Sequence, residues 1–336
     1  MHMHPRIALP RIILLRSRAP RTAHRLSIIS SPMSTSSTSS ASGAAPPTPR
    51  PSASLVIINS RNEVLLVQRN PQARSFGGVH VFPGGNLDAA QDASLAVTAI
   101  RETFEESGLL LAAGPVPADS VLDEARQAIH SGKTPFQAFL ARHRLQADVQ
   151  ALLPFTQWIT PVGAPRRFHT QFYVAFLGAA SASGFSSGAK EERIPKPDGG
   201  QEVIAARFVH PAAALAEFGA GQITFMPPQF YLLTTLAGIL RGGATTAAER
   251  ARVEQLARGA FGRMVLNPRR LGPPDAHGRV VLTYEGDETR GGSPGRLHRA
   301  LVKAGKGGVT SEIMLERNFD VFSEIEVDAF SVPSKL

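Results

Sequence analysis

Three glutamates give this 336-residue sequence its clearest chemical signal. Glu102, Glu105 and Glu106 stand at i, i+3 and i+4, so on a helix they share an arc of roughly 100°. Like charges that close repel and destabilise an isolated helix. Arg101, one turn before Glu105, can neutralise one carboxylate and hold it in place. The rest suits a hard divalent cation, Mg²⁺ or Mn²⁺, which prefers oxygen ligands and leaves room for water and phosphate. Such a cluster can bridge a diphosphate and generate hydroxide for in-line attack on phosphorus. A solvated acidic helix face is the commoner meaning of paired glutamates. Here, however, the face follows Pro83-Gly84-Gly85 and stops at Gly108, and the turn can offer the Gly85 carbonyl to a metal.

The elements that must position these groups read as follows. Leu55–Asn59 and Val64–Gln68 are apolar runs joined by a polar tetrapeptide, a hairpin pattern. Val79–Phe82 is a short apolar stretch, followed by the glycine turn. From Asp92 the period becomes helical, with Asp92 as the expected N-cap and Gly108 as the stop. Helices are expected at about Ser120–His130 and Thr134–Arg144, and strands at Phe155–Thr160, Thr170–Leu177 and Val203–Val209. Pro227-Pro228 opens a helix expected to run to Gly242. The last ninety residues mix a short helix with strands such as Val280–Tyr284. Helices and strands interleave without a regular repeat, which predicts an α/β (α+β) fold.

The segment 84–109 resembles the Nudix box, G-x5-E-x7-R-E-U-x-E-E-x-G-U. Arg101, Glu102, Glu105, Glu106, Gly108 and Leu109 fall in place, with Thr103 in the aliphatic slot. The pattern's first glutamate falls on Ala93, and Gly85 lies two residues too far upstream; Asp92 or Asp88 is a candidate replacement. Upstream, residues 65–85 are similar to the motif of the coenzyme A diphosphatase branch, LLTxRSx3Rx3GxxxFPGG. Leu65, Leu66, Arg69, Arg74, Gly78, Phe82, Pro83, Gly84 and Gly85 match in register, while Val67 and Asn70 depart. The stretches Trp158–Phe176 and Phe225–Ala237 resemble the peroxisomal acyl-coenzyme A diphosphatase subgroup.

The resemblance implies a Nudix α/β/α sandwich with a mixed sheet and a metal-dependent diphosphatase. It would cleave coenzyme A or acyl-coenzyme A to 3′,5′-ADP and (acyl-)4′-phosphopantetheine. Glu102, Glu105 and Glu106 would hold Mg²⁺ or Mn²⁺ with the Gly85 carbonyl, and Arg101 would orient them. Arg69, Arg74, Phe82 and Gly84 are the expected substrate contacts, since arginines complement phosphate. Arg166 and Arg167 are either a phosphate grip or a basic surface pair. Glu202 is either a further ligand or base, or a solvated loop glutamate. Rival readings are a Nudix enzyme for ADP-ribose, NADH or capped RNA ends, and a nucleotide-binding Nudix fold without catalysis.

Composition bounds the rest. The net charge is +9, but residues 1–50 carry seven arginines and no acid, which leaves +2 for residues 51–336. No basic stripe with interleaved aromatics appears there, which argues against nucleic acid. Without cysteine there is no thiolate zinc site, disulfide or thiol nucleophile. No apolar run approaches the roughly 18 residues a membrane span needs, and a soluble intracellular protein is expected.

Residues 1–50 read as a leader, either a mitochondrial transit peptide or sequence preceding a start at Met33. The Nudix domain is expected over 51–245, with a helical insertion at about 119–145 placed to cap the pantetheine end of the pocket. A C-terminal extension, 246–333, is expected to pack on that domain. Ser334-Lys335-Leu336 reads as the tripeptide recognised by the peroxisomal import receptor, which makes the peroxisome the expected location.

Overall fold

Alternation along a few strands explains the architecture. In the computed structural model, which describes residues 46–73, 77–115, 117–164, 166–177, 202–305 and 309–325, β1 (Arg50–Ile58) is buried on both faces from Ala53 onward. Ala53, Leu55 and Ile57 point into one apolar core, and Val56 and Ile58 into another. Successive strand residues face opposite ways, so a strand apolar at every position separates two cores.

β2 (Val64–Arg69) pairs antiparallel with β1. β3 (His80–Val81) pairs antiparallel with β2, and β4 (Gly84–Asn86) pairs antiparallel with β1. The expected Pro-Gly-Gly turn is therefore partly strand. Gly84 permits this, because a Cβ there would lie 2.3 Å from the Ala53 carbonyl oxygen.

α1 (Leu95–Ser107) follows. Its N-cap is Ser94, whose side chain accepts from the Val97 N–H at 3.3 Å, rather than Asp92; Asp92 is engaged elsewhere. Gly108, at φ 75°, closes the helix in the left-handed region as expected.

β5 (Ala112–Ala113) and β6 (Gln146–Ala147) form the stem of an excursion holding α2 (Asp119–His130) and α3 (Phe136–Arg142). Leu122, Ile129, Phe136, Phe139 and Leu140 join Ile100 and Phe104 in the core beneath α1. Phe104 stacks on Phe139 with centroids 5.7 Å apart. These apolar residues seat the excursion against α1.

β7 (Leu153–Ile159) and β8 (Phe168–Phe176) are antiparallel, and β8 runs parallel to β1 over nine residue pairs. β9 (Val203–Val209) pairs with β2. The result is a mixed sheet with helices on both faces, an α/β fold.

The second face carries α4 (Pro211–Gly219), α5 (Pro227–Ala237), α6 (Ala247–Arg258) and α7 (Ala260–Arg263). α5 ends at Ala237, a turn short of Gly242, and Asn62 Nδ2 donates to the Gly242 carbonyl at 2.9 Å. β10 (Val265–Leu266) joins the main sheet beside β7. β11 (Arg269–Leu271), β12 (Val280–Thr283), β13 (His298–Ala304) and β14 (Thr310–Arg317) make an antiparallel meander. Its inner residues Ala300 and Ile313 continue the core that holds Trp158 and Tyr231. Residues from Pro46 onward cluster as one unit. No helix among the described residues is long and apolar enough to cross a membrane.

Candidate active site

The box residues meet where β4 passes α1. Gly84 donates its N–H to Glu106 Oε2 at 3.0 Å. A Cβ on Gly85 would lie 2.4 Å from the Glu102 carboxylate, so only glycine lets this carboxylate lie against the β4 backbone.

Arg101 is the hub. Its Nε and Nη2 clamp Asp92 at 2.9 and 2.7 Å. Nη1 reaches Glu105 Oε1 at 2.9 Å and Glu102 Oε1 at 3.0 Å, and Nη2 also donates to the Asn86 carbonyl at 3.2 Å. Burial opposes the guanidinium charge, yet Asp92, Glu102 and Glu105 hold its pKa above the usual range. Asp92 is therefore no free substitute ligand for the glutamate missing at Ala93. It is a bidentate anchor that fixes Arg101, and Thr98 Oγ1 also donates to it at 3.0 Å. Asp88 caps its own turn, accepting from the Ala90 N–H and Gln91 Nε2.

Each box glutamate has holders on two sides. Glu102 has Arg101 and the Gly85 backbone. Glu106 has the Gly84 N–H, with Arg69 Nη1 3.9 Å from Oε1. Glu105 has Arg101 on Oε1 and His130 Nδ1 3.5 Å from Oε2. Arg69 reaches the cluster from the end of β2, where the register with β9 shifts between Gln68 and Arg69. Bulges of this kind re-aim a side chain.

Burial governs the electrostatics of the cluster. Burial pushes the Glu102 carboxyl up to about 7; Arg101 opposes this, while Glu105 and Glu202 add to it. Burial also raises Glu106 well above its ordinary value, aided by Glu102 and opposed by Arg69 and the Gly84 N–H. Glu106 Oε1 is buried without a hydrogen-bond partner. Burial outweighs the positive charge that Arg101 and Arg69 supply to these carboxylates. Among the described residues no three His, Asp or Glu side chains converge as a ready cation cage.

Other expected site residues fall differently. Phe82 is buried in the core, edge-on to Phe172 at 6.3 Å, and is a packing residue. Gly84 serves Glu106 through its N–H. Arg167 is committed to main-chain carbonyls, Thr160 at 3.0 Å and Pro47 at 2.9 Å, and it locks the turn before β8. Its neighbour Arg166 is exposed. Glu202, just before β9, accepts the Asn70 N–H on its carbonyl at 2.7 Å, and its charge acts on both Glu102 and Glu106. Arg74 and Ser334-Lys335-Leu336 lie outside the described residues. Sequence reasoning missed His130 and Arg126, which reach Glu105 from α2; neither carries a local signal, because both depend on how α2 packs.

Residues 90–236 match the family described as the NUDT19 Nudix domain. Three relatives are named acyl-coenzyme A diphosphatase NUDT19. The Gallus gallus protein is 26% identical, over 52% of this chain and 61% of its own length. The Homo sapiens protein is 26% identical, over 52% and 60%, and the Xenopus laevis protein 24%, over 52% and 59%. The matches thus span about 60% of each relative. With its Arg-Glu-x-x-Glu-Glu helix set against a Gly-Gly strand, the segment 90–236 is similar to the NUDT19 Nudix domain.

Proposed function

We propose that this protein is a divalent-cation-dependent Nudix hydrolase that cleaves the diphosphate of coenzyme A or acyl-coenzyme A. One observation carries the reading: Glu102 and Glu105 share the Arg101 guanidinium, while the buried Glu106 on the same helix face meets the Gly84 N–H and Arg69 of the coenzyme A-type motif. The names of the relatives support the substrate class.

Glu102, Glu105 and Glu106 would hold Mg²⁺ or Mn²⁺ with the Gly85 carbonyl. A cation there supplies Lewis-acid polarisation of the diphosphate and lowers the pKa of water. Arg69 contacts a substrate phosphate and offsets charge as the P–O–P bond breaks. Arg101, anchored by Asp92, keeps Glu102 and Glu105 oriented. Glu202 is an exposed carboxylate at the same place and can accept a proton from attacking water. Water adds to one phosphorus, the bridging oxygen leaves with the other, and 3′,5′-ADP and (acyl-)4′-phosphopantetheine result. Import into the peroxisome through Ser334-Lys335-Leu336 belongs to the same proposal.

Product analysis tests it. Purified protein is incubated with Mg²⁺ or Mn²⁺ and coenzyme A, an acyl-coenzyme A, ADP-ribose or NADH. Release of 3′,5′-ADP, lost in the Glu105→Gln, Glu106→Gln double variant with the fold intact, is expected. Faster turnover of ADP-ribose or NADH, or full activity in the double variant, overturns it.

A further inference from the structure

α1 ends at Ser107, directly after Glu105 and Glu106, where a helix leaves its last carbonyls without intrahelical donors. Phe104 has Gly108 as its donor, and the Glu105 carbonyl receives Arg126 Nε from α2 at 2.7 Å. Arg126 is buried, and its guanidinium crosses Gly108 closely: a Cβ there would lie 3.6 Å from Nη1. A cation at a helix C-terminus is favoured by both the hydrogen bond and the helix dipole. One turn further along α2, His130 sits 3.5 Å from Glu105 Oε2, opposite Arg101 on Oε1.

We propose that the two-helix excursion between β5 and β6 positions Glu105, with Arg126 fixing its main chain and His130 seating its carboxylate. The inference rests on the reading of Glu105 as a cation ligand. Among the described contacts, Glu102 and Glu106 draw their holders from β2, β4 and α1 itself, and Glu105 has a holder on the excursion. Covering the apolar face of α1 requires only residues such as Leu122, Ile129, Phe136 and Phe139. It gives no reason for Arg126 and His130 to meet Glu105 at both its carbonyl and its carboxylate. Two holders on opposite oxygens restrict rotation of the carboxylate plane, the freedom a ligand must lose on binding a cation. His130 and Arg126 are thus positioning residues, acting through Glu105.

The test uses His130→Ala, His130→Asn and Glu105→Gln in the full chain. Mn²⁺ titration of cation-free protein, read by the electron paramagnetic resonance of free Mn²⁺, is independent of turnover. Alanine should weaken Mn²⁺ binding and lower kcat about tenfold each, with KM for coenzyme A within about twofold. Asparagine, whose amide N–H can occupy the place of Nδ1, should restore both to within about twofold of the parent. Unchanged Mn²⁺ affinity and kcat in His130→Ala, or equal losses in the alanine and asparagine variants, overturn the proposal. If Glu105→Gln binds Mn²⁺ like the parent, the reading of Glu105 as a ligand fails. If Glu105→Gln is weakened and His130→Ala is not, only the role of the excursion fails.

Discussion

Glu102→Gln should stabilise the cation-free protein at neutral pH, although it removes a charged group that contacts Arg101. The Glu102 carboxyl rises to about 7, with burial as the leading cause. A folded-state pKa above the unfolded value favours the neutral acid, so the stability it confers is present below pH 4.5 and is lost as pH climbs through about 7. At 1.36 kcal/mol per unit, the ionised form costs the fold about 3 kcal/mol above pH 7, and about 1 kcal/mol at pH 5. Glutamine removes that cost, and its amide oxygen can keep the contact with Arg101 Nη1.

For a chain of this size, about 3 kcal/mol corresponds to roughly 5 °C in Tm. Thermal unfolding in chelator should place the variant about that far above the parent at pH 7.5 and close to it at pH 5. His80 and His298 respond to pH in the opposite sense, but they are common to both proteins and drop out of the difference. Excess Mg²⁺ should close most of that gap, since a ligand at 100 times its Kd contributes about 3 kcal/mol, and the variant has lost one donor. Equal Tm values at pH 7.5 in chelator, together with equal Mg²⁺ shifts, would refute the reasoning.

Other outcomes follow from the same packing. Thr103 occupies a fully buried slot on α1 with its hydroxyl unpartnered, so the near-isosteric Thr103→Val should raise unfolding free energy by about 1 kcal/mol in urea titration. Asp92→Ala leaves the buried Arg101 without its bidentate partner and should cost about 3 kcal/mol by the same assay; a loss near zero would remove Asp92 as the anchor. His298 donates from Nδ1 to the Glu285 carbonyl and pairs through Nε2 with the Tyr231 hydroxyl, and burial lowers its pKa to about 3. Stability should therefore fall by about 2 kcal/mol between pH 6.5 and 5 on its account, as the unfolded chain takes up the proton. Imidazole NMR should find this ring neutral at pH 5.

Sequence by itself determined the elements whose signals are local. The helical period from Leu95, ended by Gly108, places Glu102, Glu105 and Glu106 on one face in any context, because that spacing is a property of the helix. The apolar runs around Leu55 and Leu65 announce two strands with similar certainty. Boundaries shifted where a side chain had a stronger distant partner: Asp92 leaves the helix cap to Ser94 because Arg101 offers it two charge-assisted bonds.

The C-terminal meander was only partly legible. β13 and β14 have weak alternation, and their burial comes from packing against a core built by residues far earlier in the chain, such as Trp158 and Tyr231. Only the tertiary structure decided who holds each glutamate. Glu202 arrives from nearly a hundred residues downstream, and His130 arrives on a helix whose sequence carries no motif. Phe82 and Arg167, which motif spacing and charge offered as ligand contacts, go to the core and to main-chain carbonyls. Burial and hydrogen-bond satisfaction are settled by neighbours in space, and spacing along a chain does not contain them.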